Sequence, residues 1–257
     1  MKSITLTKRI LCGIVAVILL CCIGCGEASD KSDGTTDTDT ATDTLTDTEN
    51  LTTIEEEDEC TSIPPVTYIP GSTHTYAKPV IYLYPERELV LSVKLTYDGV
   101  LTTTYPEYTA NGWQNVTAHP DGRLEYNGRE YYCLYWEGVS RKLPDITAGA
   151  CVRGTDTAEY LEYALAELGL TEREANEFII YWLPQLECNE YNIISFLGEE
   201  YSDIARLDIT PAPDSILRVY MVAKPCDKYT HVKSQSLRPF TREGFCVVEW
   251  GGTILDK

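Results

Sequence analysis

The sequence predicts an α+β head domain that follows a leader and a polar stalk. Short strand-like segments separated by turn residues fill most of residues 60–257, a central stretch changes to helical periodicity, and the strand pattern then returns. This order favours antiparallel sheets, as a meander or a sandwich-like pair, with an inserted two-helix hairpin. We therefore predict a signal peptide at residues 1–24, a disordered stalk at residues 25–59 and one head domain at residues 60–257.

The leader has the three zones of a secretion signal. A basic start precedes an apolar run at residues 10–23, and Gly24 supplies a small side chain before Cys25. The apolar run is shorter than the roughly 20 residues that a membrane-spanning helix needs. Processing is therefore favoured over a permanent span.

Residues 19–25 resemble the lipobox of bacterial lipoproteins, in which the cysteine thiol receives a diacylglyceryl group before cleavage. The resemblance implies lipid attachment at Cys25. Cys22 is the alternative, because Leu19 then lies three positions before the anchor. An ordinary signal peptide and an uncleaved anchor are the other interpretations. Two acyl chains give stable membrane attachment, so the predicted location is the cell membrane, with the head exposed outside the cytoplasm.

The predicted stalk is rich in alternating Thr and Asp and ends in an acidic run at residues 55–59. Its composition is too polar to offset the entropy of ordering, so disorder is expected. A calcium loop is disfavoured because no glycine supplies the central turn between residues 36 and 49.

Charge excludes one class of partner. Of the 21 basic and 40 acidic residues, 17 and 27 fall in residues 60–257, which gives the head a net charge of −10. Nucleic-acid binding depends on basic patches and counterion release, so no nucleic-acid partner is expected.

The first strands of the head differ in their patterns. Residues 78–85 are apolar on both faces, as in a central strand, whereas residues 89–96 alternate between apolar and polar. Asp98 and Gly99 then predict a tight hairpin that returns the chain through residues 101–105.

A meander is predicted next. Strands at residues 113–118, 123–126 and 131–136 are separated by turns at residues 120–122 and at Asn127-Gly128.

Two helices interrupt the strands. Asp156 with Glu159 predicts the start of the first helix, which Gly169 ends; Thr171 with Glu174 predicts the start of the second, to about Ile180. The strand pattern returns at residues 191–197, 206–210, 216–222 and 245–250.

The head contains several distinctive short motifs: KPVIYLYPE at 78–86, YP at 105–106, GW at 112–113, PDG at 120–122, WEG at 136–138, YWLP at 181–184 and VEWGG at 248–252. Together they resemble the motifs of an uncharacterised family of secreted or lipid-anchored bacterial proteins. The resemblance implies export, and because it carries no known activity it assigns no catalytic residue.

Few patterns in the head indicate chemistry. No nucleophile-elbow, zinc-protease, phosphate-loop or dinucleotide-binding motif is present, and the three histidines lack ligand spacing, so no cofactor or metal is predicted. Glu137 and Glu249 each adjoin a tryptophan, and a carboxylate against an indole can become a general acid. Two such carboxylates could serve a glycosidase. The alternative is that strand alternation separates each Glu from its Trp.

The aromatic residues favour binding over catalysis. The chain has 18 tyrosines and four tryptophans against four phenylalanines, and rings with a polar group suit half-exposed binding faces. Ordinary tyrosine-rich strands are the alternative. The candidate binding residues are Tyr82, Tyr84, Tyr131, Tyr132, Tyr135 and Trp136.

Six cysteines in an exported domain permit three disulfides. The preferred pairs are Cys133 with Cys151 and Cys226 with Cys246, and Cys60 and Cys188 remain. Free buried thiols are the alternative.

The sequence therefore favours a lipid-anchored envelope protein whose head binds an extracellular glycan or protein. An extracellular hydrolase that uses Glu137 or Glu249 and a structural envelope component are the alternatives.

Overall fold

A computed structural model of the chain describes residues 73–142 and 146–256. The predicted signal peptide, the stalk, both candidate lipid anchors and Cys60 lie outside the described residues. The part that is described contains only the predicted head.

The head is mostly β-sheet with a few helices, in agreement with the predicted α+β class. In chain order the strands are β1 (His74–Tyr84), β2 (Leu89–Tyr97), β3 (Val100–Tyr105), β4 (Trp113–Ala118), β5 (Leu124–Tyr126), β6 (Arg129–Tyr131), β7 (Leu134–Ser140), β8 (Ala150–Arg153), β9 (Tyr191–Leu197), β10 (Ala205–Thr210), β11 (Ser215–Cys226) and β12 (Cys246–Ile254). The helices are α1 (Thr157–Leu168), α2 (Glu172–Leu186) and α3 (Glu200–Ile204).

The strands form two sheets. The larger has the order β3-β7-β1-β12-β11-β9-β8 and the smaller has the order β10-β2-β4-β5-β6. All their pairings are antiparallel among the described residues, except that β11 runs parallel to β12.

Two apolar cores lie on opposite faces of the larger sheet. One fills the space between the two sheets, and the other joins the larger sheet to α1 and α2. β1 contributes to both, since Ile81 and Leu83 face the smaller sheet while Val80 and Tyr82 face the helices. This explains why its sequence is apolar on both faces.

The predicted hairpin at Asp98-Gly99 is wrong. β2 pairs with β10 and β4 in the smaller sheet, whereas β3 pairs with β7 in the larger one. The Asp98-Gly99 turn thus carries the chain between sheets, and the Asp98 N–H donates to the Ile204 carbonyl. By contrast, Asn127 and Gly128 have φ of 50° and 72° and join the paired strands β5 and β6, as a tight hairpin requires.

The helix boundaries follow the sequence signals in part. Gly169 ends α1 with φ of 96°, and Thr171 and Glu174 form the predicted capping box of α2. Asp156 precedes α1 but makes no side-chain cap hydrogen bond. α2 continues past Ile180 to Leu186, because Trp182 and Leu186 are buried against the larger sheet.

Candidate functional site

The strongest candidate site is a cleft of about 340 Å³ where β1, the β4–β5 turn, β6 and the start of α2 meet. Its volume is at the lower end of the range of small-molecule pockets, about 300–1,000 Å³. We call it the tyrosine cleft. Its lining residues are Tyr82, Tyr84, Asp121, Gly122, Arg123, Glu130, Tyr131, Tyr132, Arg173 and Glu174.

Aromatic rings form one wall of the tyrosine cleft. Tyr82 and Tyr84 are two residues apart on β1, so they share a face, and their rings stack with centroids 6.2 Å apart and an interplanar angle of 2°. The Tyr132 ring lies 6.4 Å from that of Tyr82 and is tilted by 40°. Tyr132 is 53% exposed, whereas Tyr82 is buried. Tyr132 therefore offers the ring that a ligand can reach.

The hydroxyl of Tyr82 is fixed by α2. It donates to Glu177 Oε2 at 2.5 Å. Burial is the main cause that raises the pKa of Tyr82 far above its ordinary value, and the hydrogen bond to Glu177 is the second. The hydroxyl therefore stays protonated as a donor, and Tyr82 holds β1 and α2 together at the cleft.

An ion pair between the buried Glu174 and the half-buried Arg242 lies beside Tyr84. Arg242 Nη1 donates to Glu174 Oε1 at 3.1 Å, Nη2 pairs with Oε2, and the guanidinium carbon lies 5.7 Å from the Tyr84 ring centroid. The Thr171 N–H also donates to Glu174, at 2.8 Å. Burial alone would raise the pKa of Glu174, but the hydrogen bonds from Arg242 and Thr171 outweigh it and hold the pKa below its ordinary value. Glu174 is thus ionised at neutral pH.

The remaining arginines of the cleft also lie against carboxylates. Arg173 Nε is 3.3 Å from Glu177 Oε1, and its guanidinium carbon is 6.0 Å from the Tyr132 ring centroid. Arg123 pairs with Glu125 and is 3.7 Å from Glu130. The cleft therefore offers many hydrogen-bonding groups with little net charge.

Gly122 lets the β4–β5 turn approach the aromatic wall. Its φ is 86°, and a Cβ placed there would lie 2.7 Å from Tyr84 Cε1. Any side chain at this position would strain the backbone and push into the Tyr84 ring.

The structure brings together four of the predicted binding residues, Tyr82, Tyr84, Tyr131 and Tyr132. Tyr135 lies elsewhere, beside Lys78, whose Nζ is 5.2 Å from its ring centroid. The prediction that Trp136 belongs to a binding face is wrong, because its ring is fully buried between the sheets. Its Nε1 donates to Glu249 at 3.0 Å.

The prediction of a catalytic pair is also wrong. Glu249 is fully buried, and its second oxygen accepts a 2.7 Å hydrogen bond from Arg218 Nε. Glu137 follows Trp136 on β7 and so projects from the opposite face of the sheet, where it accepts from the Lys78 N–H at 3.1 Å. A sheet separates the two carboxylates, which therefore cannot flank one glycosidic bond.

Neither preferred cysteine pair is adjacent in the structure. Cys246 pairs with Ser215 at the start of β11, and Cys226 ends that strand, so the two lie about 35 Å apart at roughly 3.3 Å per residue. Cys133 precedes β7 and Cys151 lies in β8, with four strands between, or about 24 Å at roughly 4.8 Å per spacing. In the structure the thiols of Cys133, Cys151, Cys188, Cys226 and Cys246 are free.

The charged part of the cleft was missed by sequence reasoning. Arg173, Glu174 and Arg242 come from two distant segments, and only the capping-box signal at Glu174 was visible. That signal predicted a helix start, and its second role as the partner of Arg242 requires the folded chain.

No group of three or more His, Cys, Asp or Glu side chains within the described residues is arranged to hold a metal ion. None of the helices that the structure describes is long and apolar enough to cross a membrane.

One relative is similar to part of this chain. A Butyrivibrio fibrisolvens protein described as "Uncharacterized protein in bglA 3'region" is 47% identical over 62 residues, which are 24% of this chain and 65% of that protein. The match thus covers slightly less than two thirds of the relative's length. No family model and no solved structure matches the chain.

Proposed function

We propose that the protein is a lipid-anchored binding protein of the cell envelope whose head binds a neutral extracellular glycan in the tyrosine cleft. The observation that supports this most is the combination of a half-exposed tyrosine ring with arginines that are already paired.

The aromatic wall supplies the apolar part of such an interaction. Sugar rings have an apolar face, and a tyrosine offers a rigid, amphipathic surface for it. Tyr132 is accessible, and Tyr82 and Tyr84 support it from β1. A ligand that stacks on Tyr132 would bring its rim to the polar groups of the cleft.

The charge balance of the cleft favours a neutral ligand. Arg173 and Arg123 lie against carboxylates, so an anionic ligand would have to compete with these partners. The hydroxyl groups of a sugar can accept from arginine and donate to carboxylate without disrupting either pair. A neutral glycan therefore fits better than a phosphorylated or sulfated ligand.

A screen of immobilised ligands tests this proposal. Full-length protein in detergent is applied to an array of neutral glycans, acidic glycans and peptides. We expect binding to neutral glycans that persists at high salt, because exposed charge pairs are screened while ring stacking is not. Binding only to acidic glycans or to peptides, or to nothing on the array, would contradict the proposal.

The proposed anchor is supported by the leader sequence. Cells grown with radioactive palmitate should label the wild-type protein and the Cys22→Ala variant, while Cys25→Ala should lose the label. Undiminished label in Cys25→Ala together with loss in Cys22→Ala would move the anchor to Cys22. Absence of label from the wild type would refute lipid attachment.

A further inference from the structure

A strip of exposed and half-buried aromatic side chains continues from the tyrosine cleft along the larger sheet. Tyr131 lines the cleft, and its ring meets that of Tyr105 edge to face, with centroids 5.5 Å apart. Tyr105 on β3 is directly opposite Tyr135 on β7, so these two side chains share a face of the sheet, with Cβ atoms about 5 Å apart. Tyr105 is 57% exposed and Tyr135 is half-buried. The aromatic surface of the cleft thus extends onto β3 and β7.

Lys78 adds an ammonium group to this surface. Its Nζ lies 5.2 Å from the ring centroid of Tyr135 and 5.5 Å from that of Tyr181 on α2. Tyr181 is four residues from Glu177, which binds the Tyr82 hydroxyl at the cleft, so both lie on the same face of α2. α2 therefore borders the surface from the cleft to Lys78. We call Tyr105, Tyr135, Lys78 and Tyr181 the strip.

A β-bulge directs Lys78 to this side of the sheet. The register of β1 shifts between Ala77 and Val80 against β12 and between Tyr76 and Val80 against β7, and Lys78 has φ of 58°. Tyr76 faces the smaller sheet, and regular alternation would direct Lys78 there as well. The bulge reverses the alternation, so that Val80 faces the helices and Lys78 reaches the rings of the strip.

The ammonium of Lys78 is available to a ligand. Among the described residues, four lysine and arginine residues are half-buried, and three of them, Arg123, Arg218 and Arg242, each pair with a carboxylate. Lys78 contacts rings instead, so its ammonium N–H groups can donate to a ligand. Glu137 accepts from the backbone N–H of Lys78 at 3.1 Å. This nearby carboxylate balances the charge of Lys78, so the strip, like the cleft, suits a neutral ligand.

We infer that the head binds an extended chain of neutral sugars, with one part of the chain in the tyrosine cleft and further units along the strip as far as Lys78. The inference rests on the proposed glycan binding in the cleft. Lys78 is four residues from Tyr82 on β1, or roughly 13 Å at 3.3 Å per residue, which is further than a single sugar ring spans. The apolar faces of further units would stack on Tyr105 and Tyr135, and the Lys78 ammonium would donate to their hydroxyl groups.

A chain of repeating units fits a site of this form. Each unit presents another apolar face and another set of hydroxyl groups, so the cleft and the strip can hold successive units at once. Once one unit is bound, binding of the next is intramolecular, which raises the affinity without stronger individual contacts. Dependence of affinity on chain length therefore distinguishes the extended site from the cleft by itself.

Calorimetric titration with sugars of two lengths tests the inference. The probes are neutral β-linked disaccharides of glucose, xylose, mannose and N-acetylglucosamine and the corresponding hexasaccharides, added to full-length protein in detergent. For the sugar type that binds, we expect the hexasaccharide to bind about tenfold more tightly than the disaccharide, because only the longer chain reaches the strip. Equal affinity for the two lengths would overturn the inference and leave binding in the cleft intact.

Variants locate the additional contacts. Tyr105→Ala and Lys78→Met should each lower the affinity for the hexasaccharide about fivefold and leave that for the disaccharide unchanged, because both side chains lie outside the cleft. Tyr132→Ala should weaken binding of both lengths, and Tyr229→Ala, which removes a ring 61% exposed elsewhere, should weaken neither. Unchanged hexasaccharide affinity in both strip variants, or an equal loss for the two lengths, would overturn the inference.

Failure of the proposed function gives a different result. If the head does not bind neutral glycans, neither length binds the wild type, and the extended site is refuted together with the cleft. If both lengths bind equally and Tyr132→Ala weakens both, only the extended site is refuted. The disaccharide affinity also serves as the folding control for the strip variants, since a misfolded head would lose it.

Discussion

Glu249 lies between the two sheets with Trp136 donating to one carboxylate oxygen and Arg218 to the other. Arg218 also stacks on Tyr201, with its guanidinium carbon 4.2 Å from the ring centroid, and donates to the Ala205 carbonyl at 2.5 Å. The network therefore links β7, β11 and β12 of the larger sheet to α3 and the start of β10. Its role is structural.

We predict that Arg218→Met costs about 3–5 kcal/mol of unfolding free energy, because it leaves the Glu249 carboxylate buried without a cation. Chemical denaturation measures this loss. The double variant Arg218→Met/Glu249→Met should recover most of it, since both charges are then removed. A loss below about 1 kcal/mol in the single variant, or a double variant less stable than the single one, would contradict the structural role.

Because Glu174 is ionised in the folded protein, we predict that the free energy of unfolding depends on pH. Its folded-state pKa lies below the ordinary value of 4.5, so the ionised carboxylate stabilises the fold above that pH, and this stabilisation is lost as the pH falls through the folded-state pKa. Arg242→Met removes the main partner and leaves burial to raise the pKa. The variant should therefore lose less stability than the wild type when the pH drops below about 4.5.

The measurement is the unfolding free energy of both proteins as a function of pH. Asp208 and Glu125 also have lowered pKa values, but both keep their partners in the variant, so the difference between the proteins reports Glu174. Arg238→Met, at an exposed arginine of the same β11–β12 connection as Arg242, is the control and should follow the wild type. Parallel pH curves for Arg242→Met and wild type would refute the role of the ion pair.

At the scale of elements, the sequence was most informative where local rules decide the outcome. The Asn127-Gly128 turn and the Thr171 capping box were both predictable, because each depends on residues a few positions apart. The pairing partners of β2 and β3, the two strands that Asp98-Gly99 joins, were not predictable. β2 and β3 have acceptable strand patterns and a good turn between them, but their partners β10 and β7 lie far along the chain.

The two glycine turns of the smaller sheet provide a matched prediction. Gly122 and Gly128 both have positive φ, but a Cβ at Gly122 would lie 2.7 Å from Tyr84 Cε1, whereas nothing lies within 4 Å at Gly128. Both alanine variants should lose about 1 kcal/mol from backbone strain. Gly122→Ala should in addition displace Tyr84 and weaken glycan binding at least tenfold.

Calorimetric titration and thermal unfolding of the two variants check this. Gly128→Ala is the control for strain, because its added methyl group meets open space. Equal glycan affinities in the two variants would show that the Tyr84 wall does not contribute to binding.

At the scale of the whole molecule, the tyrosine cleft is assembled from four separate parts of the chain. β1, the β4–β5 turn with β6, the start of α2 and the end of the β11–β12 connection each supply lining or supporting residues. The sequence could indicate tyrosines as candidates, and four of them do meet here. It could not indicate Arg242 as the partner of Glu174, because 68 residues separate them and no local pattern reports such a contact.

Contacts between distant positions also explain why the roles predicted for Trp136 and Glu249 were wrong. Each adjoins a residue that suggests chemistry, but strand alternation and sheet order decide which face each side chain occupies. They meet each other across 113 positions, in the core rather than in a cleft.

The most direct test of the proposed function is calorimetric titration of the full-length protein with the neutral glycan that the array selects. Tyr132→Ala removes the accessible ring of the cleft, and Tyr163→Ala removes a ring of similar exposure, 60%, on α1 outside it. We predict that Tyr132→Ala lowers the affinity about tenfold, since the variant loses ring stacking worth about 0.5–1.5 kcal/mol beyond area burial, together with the apolar area that a ligand covers on the ring. Tyr163→Ala should bind like the wild type. Unchanged affinity in Tyr132→Ala, with both variants folded, would contradict the assignment of the tyrosine cleft as the binding site.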